Sequence, residues 1–291
     1  MTDSFTFHEQ SLNKYTLHAT TSTLPNERAI RAKGSVLKRV KDTLHNGLRQ
    51  FISDIYACEK IYIGGIALYE HDDVVPRDGY TVYYVNGRDG EDGYSTEIEP
   101  KRWSTKLEYN AQKKLYTMTL HGLEVKREPT SDMERSERMC IYFESNQASL
   151  EIVIQGDNYL LVESDEYTPC VSLECRGEGR EVFISGDGKL IAHSSNGIAF
   201  RVEADTIMRG ATIMVHADLG VYIDDESGAK FTMIGGRLIA LGRKAAILGN
   251  FDLGVTSWYQ WRTIEDGIMI DSDELKCVVN KEKYVRIEEK R

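Results

Sequence analysis

Short runs of alternating apolar and polar residues dominate this chain, and one five-residue pattern occurs five times. Each copy has a small residue followed by an apolar, a variable and a second apolar residue. The copies lie in Met139–Phe143, Thr168–Leu173, Asn196–Phe200, Leu219–Ile223 and Lys244–Leu248. Alternation with a period of two is typical of a short β-strand that buries one face. The pattern therefore predicts five equivalent strands.

The small position of this pattern recurs at intervals of 23 to 30 residues. Its occupants are Cys140, Cys170, Gly197, Gly220 and Ala245. Upstream of most copies, two further apolar strands flank a glycine, as in Ile152–Val162 and Phe183–Ala192. A repeat of three short strands cannot bury its apolar face alone, whereas stacked copies can. The sequence predicts an all-β fold, a right-handed parallel β-helix solenoid over residues 59–252, with equivalent small residues stacked on one another.

Residues 1–58 have a different pattern. Apolar residues recur at helical spacing, at Ile30, Leu37, Val40, Leu44, Leu48, Phe51 and Ile55, with Lys and Arg between them. This spacing predicts an amphipathic helix. We expect the helix to cap the open end of the solenoid, where unpaired strand edges would otherwise promote aggregation. The alternative is a helix that binds a membrane surface or a partner. At the other end, residues 253–291 are predicted to form a C-terminal β cap.

Several longer motifs resemble a known family. They are IYIGGIALYEHDDV (Ile61–Val74), LEYNAQKKLYTMTLHGLEV (Leu107–Val125), LEIVIQGDNYL (Leu150–Leu160) and a YxWR-like tail at Tyr259, Trp261 and Arg262. Over residues 60–288 the chain resembles bacterial carbohydrate-binding-domain-containing proteins, which are short parallel β-helices of gut bacteria. The resemblance implies a solenoid that binds carbohydrate, and relatives that are usually exported. Calcium-binding members of related families carry Asp-Asp-Gly-Ile-His at their corners, whereas a matching corner here reads SSNGIAF. No cofactor is predicted.

The composition narrows the set of partners. Hydrophobic residues make up 41% of the chain and the net charge is −10, so a folded domain is expected and nucleic acid is disfavoured as a partner. The first ten residues, MTDSFTFHEQ, lack the basic and apolar regions of a signal peptide, and no stretch is long enough to span a membrane. As it stands, the sequence indicates a cytoplasmic protein and leaves the compartment open. The five cysteines show no metal-binding spacing and are expected to be unpaired.

Charged residues follow the repeated strands. Glu174, Arg201 and Asp224 occupy equivalent positions in the predicted alignment, which indicates a structural ladder of alternating charge. A hydrolase would instead use Asp224 with Asp225 as its carboxylate pair. Because adjacent strand residues point to opposite faces, no catalytic residues are predicted.

A second set of equivalent positions holds Glu163, His193, His216 and Leu241. Neighbouring imidazoles are potential metal ligands. The sequence shows no third ligand beside them, so a polar stripe on the solvent face is predicted and a metal is not.

The segment SWYQWR at Ser257–Arg262 contains two of the three tryptophans. In an extended strand Trp258, Gln260 and Arg262 share one face, where an aromatic ring and hydrogen-bonding groups would hold a sugar. The sequence therefore predicts a noncatalytic binding or interaction module, with a glycan or a protein as its partner and carbohydrate as the ligand that the resemblance implies. The alternatives are a polysaccharide lyase or glycoside hydrolase on the same scaffold, and an intracellular protein-interaction solenoid.

Overall fold

A computed structural model describes residues 58–72, 74–87, 93–254, 259–262 and 283–289. The chain divides into two units, Met1–Arg49 and Gln50–Arg291, and all of these residues belong to the second unit. The amphipathic helix predicted between Ile30 and Ile55 lies outside the described residues, as does Trp258. The predicted domain boundaries stay predictions.

The described part of the chain is all-β. Its strands are β1 (Cys58–Ile63), β2 (Ile66–Asp72), β3 (Thr81–Val85), β4 (Tyr94–Thr96), β5 (Thr105–Asn110), β6 (Leu115–His121), β7 (Glu124–Arg127), β8 (Ile141–Ser145), β9 (Ser149–Gln155), β10 (Asp157–Val162), β11 (Val171–Cys175), β12 (Glu181–Gly186), β13 (Lys189–Ser194), β14 (Ile198–Val202), β15 (Asp205–Ile223), β16 (Phe231–Leu248), β17 (Phe251–Leu253), β18 (Tyr259–Arg262) and β19 (Tyr284–Glu289). These strands form one large, nearly closed, barrel-like sheet. Nothing in the described ranges forms a helix with the length and hydropathy that crossing a bilayer would require.

Most central strands pair in parallel with the strand three places later in the chain. One series runs β6–β9–β12, a second β7–β10–β13 and a third β8–β11–β14. All three series continue into β15, which then pairs along most of its length with β16. Buried residues alternate with more exposed ones in strands such as β9, where Leu150, Ile152 and Ile154 are buried.

Antiparallel strands adjoin this parallel region at both ends of the described chain. On the N-terminal side, β1 pairs with β8 and β5 pairs with β6. On the C-terminal side, β19 pairs with β16 and β18 pairs with β19.

The small residues stack in a register that differs from the predicted one. Hydrogen-bonded register places Ala199 rather than Gly197 beside Cys170, and Ala246 rather than Ala245 beside Gly220. The observed column is Cys140, Cys170, Ala199, Gly220 and Ala246, all of them buried. Gly197 instead occupies the preceding corner with φ of +136°, where a Cβ would lie 2.5 Å from the carbonyl oxygen of Thr168. A column of small residues is thus present, but its register was predicted wrongly from the sequence.

A buried carboxylate joins β1 to the rest of the core. Glu59 is fully buried, and its Oε1 accepts hydrogen bonds from Ser145 Oγ at 2.8 Å and from the Gln147 amide at 3.2 Å. Its Oε2 accepts a hydrogen bond from the Tyr116 hydroxyl at 3.0 Å. Burial raises the pKa of Glu59 above 4.5, although these hydrogen bonds oppose the shift.

Candidate functional site

Four carboxylates lie on the outer face of the third strand series, and they define the acidic column. Glu174 on β11 is directly opposite Glu144 on β8. The pairing of β11 with β14, and of β14 with β15, continues the column to Glu203 and Asp224. Like charges therefore occupy four neighbouring strands, at the strand spacing of about 4.8 Å.

The predicted ladder of Glu174, Arg201 and Asp224 is wrong in register. Arg201 lies beside Ser172 and Tyr222, two residues before the acidic column. The error follows from aligning Gly197 with Cys170, because a shift of two residues keeps each side chain on its face and changes its neighbours. The structural role proposed for these charges stays a prediction.

Arginines from two connecting segments form ion pairs with three members of the acidic column, Glu144, Glu174 and Glu203. Arg135 lies between β7 and β8 and binds Glu174 Oε1 at 2.5 Å. Arg176 follows β11 and bridges Glu144 and Glu174, with both distances 2.7 Å. Glu174 itself is fully buried, and Ser172 Oγ donates a further hydrogen bond to it at 3.1 Å. A buried carboxylate with this many donors is held in one position.

The same network shifts several pKa values. Burial, and then the charge of Glu174, raises the pKa of Glu203. Burial and the same charge raise the pKa of the Tyr142 hydroxyl, which donates a hydrogen bond to Glu144 at 2.5 Å. Burial lowers the pKa of Arg176, but the charges of Glu144 and Glu174 outweigh this and raise it. Glu203 is thus the carboxyl of the column whose pKa is raised, because burial and a neighbouring negative charge both disfavour its ionised form.

A cleft of about 630 Å³ opens beside this network, and we call it the Tyr167 cleft. Its lining residues are Arg135, Arg138, Met139, Tyr167, Thr168, Pro169, Ile198, Arg201, Leu219 and Tyr222. The Tyr167 ring is 52% exposed at this cleft, and Lys244 Nζ lies 5.6 Å from its centre. Asp218 holds that ammonium group at 2.9 Å. The cleft thus contains a half-exposed tyrosine ring with arginine and lysine donors around it.

The arginines of the cleft are fixed by the protein itself. Arg138 Nη1 binds Glu166 at 2.5 Å, and its Nη2 donates a hydrogen bond to the Ser131 carbonyl oxygen at 2.7 Å. Arg201 forms an ion pair with Glu203, while its buried Nε has no hydrogen-bond partner within the described structure. A guanidinium has five N–H donors in a fixed fork, and Arg138 uses three of them within the protein, so two remain for a ligand.

The predicted ligand face lies elsewhere in the chain. Gln260 and Arg262 belong to β18, where they lie opposite Glu288 and Arg286 of β19. Trp258 lies outside the described residues, so a face formed by Trp258, Gln260 and Arg262 stays a prediction.

Sequence reasoning missed Tyr167 and Arg135. Tyrosine is common here, with 16 residues, and nothing in the local sequence distinguishes Tyr167 from the others. The positions of these two residues in the sequence were the signals that could have identified them. Tyr167 directly precedes a copy of the repeated pattern, in DEYTPC, and Arg135 lies in SDMERSER, a charged connection between two predicted strands. Such connections frequently carry binding residues.

The predicted polar stripe is present only in part, at its two histidines. His193, His216 and Leu241 share a register, but the preceding member is Leu161 instead of Glu163. The two imidazole rings lie 4.7 Å apart between centroids. Burial, and then His216, lowers the pKa of His193. Within the described ranges, no three or more His, Cys, Asp or Glu side chains are grouped to hold a metal ion.

The described cysteine side chains are Cys140, Cys170 and Cys175, and all three are buried and free. The prediction of unpaired thiols is confirmed for these three residues.

Comparison of the chain with protein-family models, with curated proteins and with solved structures finds no match.

Proposed function

We propose that the barrel-like sheet is a right-handed parallel β-helix, with three strands in each coil. The pairing of each central strand with the strand three places later supports this proposal, because it is the pairing that stacked three-stranded coils require. The long strands β15 and β16 each contribute to all three strand series, as a full coil would.

We propose that the protein is a noncatalytic carbohydrate-binding module whose ligand lies in the Tyr167 cleft. The exposed ring of Tyr167 beside Arg135, Arg138 and Arg201 is the observation on which this rests. Sugar rings present apolar C–H faces that pack on aromatic rings, and their hydroxyl groups need fixed hydrogen-bond partners. The cleft supplies both kinds of contact.

Binding is favoured over hydrolysis or elimination because Glu144 and Glu174 of the acidic column are already engaged by other side chains. Glu174 is fully buried, and both of its oxygens receive arginine donors. Glu144 is also buried and binds Arg176 and Tyr142. A glycosidase needs one acid and one base that reach the bond to be cleaved. The raised pKa of Glu203 is the feature that favours the enzymatic alternative.

Titration of the full chain with neutral oligosaccharides tests this proposal. Xylohexaose, mannohexaose, maltohexaose and cellohexaose are suitable probes for isothermal titration calorimetry. We expect at least one to bind, and Tyr167→Ala to weaken its affinity by about tenfold, since an aromatic contact contributes up to about 1.5 kcal/mol.

Tyr94→Ala is the matched control, because Tyr94 is 53% exposed and Tyr167 is 52% exposed. Equal losses in the two variants would contradict a site at Tyr167. A parallel assay for newly formed reducing ends and unsaturated sugars separates binding from catalysis. Trp258→Ala in the same titration tests the ligand face predicted from the sequence.

A further inference from the structure

A second concave surface lies on the outer face of the β7–β10–β13 series. We call it the Tyr159 groove, and its volume is about 590 Å³. Tyr159, Leu161, Ile191 and His193 are among its lining residues. The Tyr159 ring is 42% exposed, although it lies on a strand whose inward-facing residues are buried. A large aromatic side chain that is exposed to solvent within a groove is a feature of binding sites.

The Tyr159 groove repeats the arrangement of the Tyr167 cleft. Lys189 Nζ lies 5.9 Å from the centre of the Tyr159 ring, and Asp157 holds this ammonium group at 3.3 Å. In the Tyr167 cleft, Lys244 and Asp218 have the same relation to the Tyr167 ring, at 5.6 Å and 2.9 Å. Each site therefore has an exposed tyrosine, an ammonium group beside its ring and a carboxylate that fixes the ammonium.

The groove continues along the sheet as a row of outward-facing apolar side chains. Tyr159, Ile191, Met214 and Ile239 lie directly opposite one another on β10, β13, β15 and β16. Three strand spacings make this row about 14 Å long. Polar groups flank it, since Lys189, Thr212 and Arg237 form the neighbouring outward row. An extended ligand with apolar faces and polar edges matches this surface.

We propose that the Tyr159 groove is a second oligosaccharide-binding site, with the apolar row supporting successive sugar rings. This inference rests on the proposed carbohydrate-binding function and extends it to two sites on two faces of one chain. Two sites that engage one polysaccharide raise its apparent affinity above that of either site alone. The preferred ligand is then a polymer rather than a single sugar.

Methyl NMR of the full chain, labelled at Ile, Leu and Met, reports on both sites separately. Ile191, Met214 and Ile239 report on the Tyr159 groove, whereas Met139, Ile198 and Leu219 report on the Tyr167 cleft. The four neutral hexasaccharides serve as probes. We expect both groups of methyl signals to shift, each with its own saturation curve.

Two variants assign these shifts to the two tyrosines. Tyr159→Ala is expected to weaken binding at the groove by about tenfold and to leave the cleft signals unchanged. Tyr159→Phe keeps the ring and is expected to bind as the unmodified protein does. Unchanged thermal unfolding of the variants confirms that they are folded.

The pattern of shifts distinguishes failure of the second site from failure of the proposed function. Shifts confined to Met139, Ile198 and Leu219 would refute the second site and leave the proposed function intact. Shifts at both sites that Tyr159→Ala does not alter would also refute the second site. The absence of any shift with all four probes would overturn both proposals.

Discussion

Gly220 is the glycine of the small-residue column, and it is closely surrounded by neighbouring strands. A Cβ added there would lie 2.4 Å from the Ala246 carbonyl oxygen and 3.3 Å from the Ala240 Cβ. Non-bonded heavy atoms reach their energy minimum at separations of about 3.5 to 4.0 Å. The contact with the Ala246 carbonyl oxygen would therefore force β15 and β16 to separate locally by roughly 1 Å. The backbone at Gly220 does not have a positive φ. The cost of Gly220→Ala is therefore a packing cost and not a dihedral cost.

The expected magnitude follows from two opposing terms. Overpacking a filled interior costs about 1 to 3 kcal/mol. Replacing glycine by alanine also lowers the conformational entropy of the unfolded chain, which stabilises the folded state by about 0.4 to 1 kcal/mol. Taking the middle of each range, Gly220→Ala should lower the free energy of unfolding by about 1.3 kcal/mol. Each kcal/mol lowers Tm by about 2 to 4 °C for a domain of this size.

Urea unfolding followed by far-UV circular dichroism measures this change. Gly122→Ala is the control, because Gly122 has φ of +67° and nothing within 4 Å of an added Cβ. It isolates the cost of a left-handed conformation, about 1 to 2 kcal/mol. If Gly220→Ala is as stable as the unmodified protein, or more stable, close packing of the small-residue column is refuted at this position.

Three further predictions concern charge and thiols. Because burial raises the pKa of Glu59 in the folded state, the native protein binds this proton more tightly than the unfolded chain. Stability should fall as pH rises from about 4.5 through the folded pKa, and unfolding of Glu59→Gln measured across pH 4 to 8 should lack this component. Arg176→Met should cost about 1 to 3 kcal/mol in urea unfolding, since buried Glu174 loses a donor, and an unchanged midpoint would contradict this. Thiol counting on denatured, unreduced protein should find all five cysteines free, and a count of three or one would refute it.

The all-β class was predictable because its signals are local. Alternation in segments such as Leu150–Ile154 records which face of a strand is buried. The register between strands was not predictable to the same precision. Gly197 and Ala199 are both small and lie in the same copy of the pattern, and hydrogen bonds between distant strands decide which of them meets Cys170.

The candidate site was harder to predict than the fold. The Tyr167 cleft combines residues from the connection before β8, the corner before β11, and strands β14 and β15. None of these segments carries a catalytic or binding motif of its own. Tryptophan is rare in this chain, so its two occurrences in Ser257–Arg262 indicate a candidate site from the sequence alone. Tyrosine is common, so a tyrosine becomes a candidate only when its exposure is known.

The register explains why the site lies beside the acidic column. Stacked parallel strands place Glu144, Glu174, Glu203 and Asp224 on adjacent strands. Two unit charges about 5 Å apart repel by roughly 3 kcal/mol at an effective dielectric constant near 20. No cation on the same column relieves this repulsion, so cationic side chains must come from outside it. Arg135 and Arg176 supply them from two connecting segments, and the connection that carries Arg135 also forms one wall of the Tyr167 cleft. Stacked carboxylates thus require arginines from outside their own column. One of these arginines, Arg135, also lines the cleft in which we place the ligand.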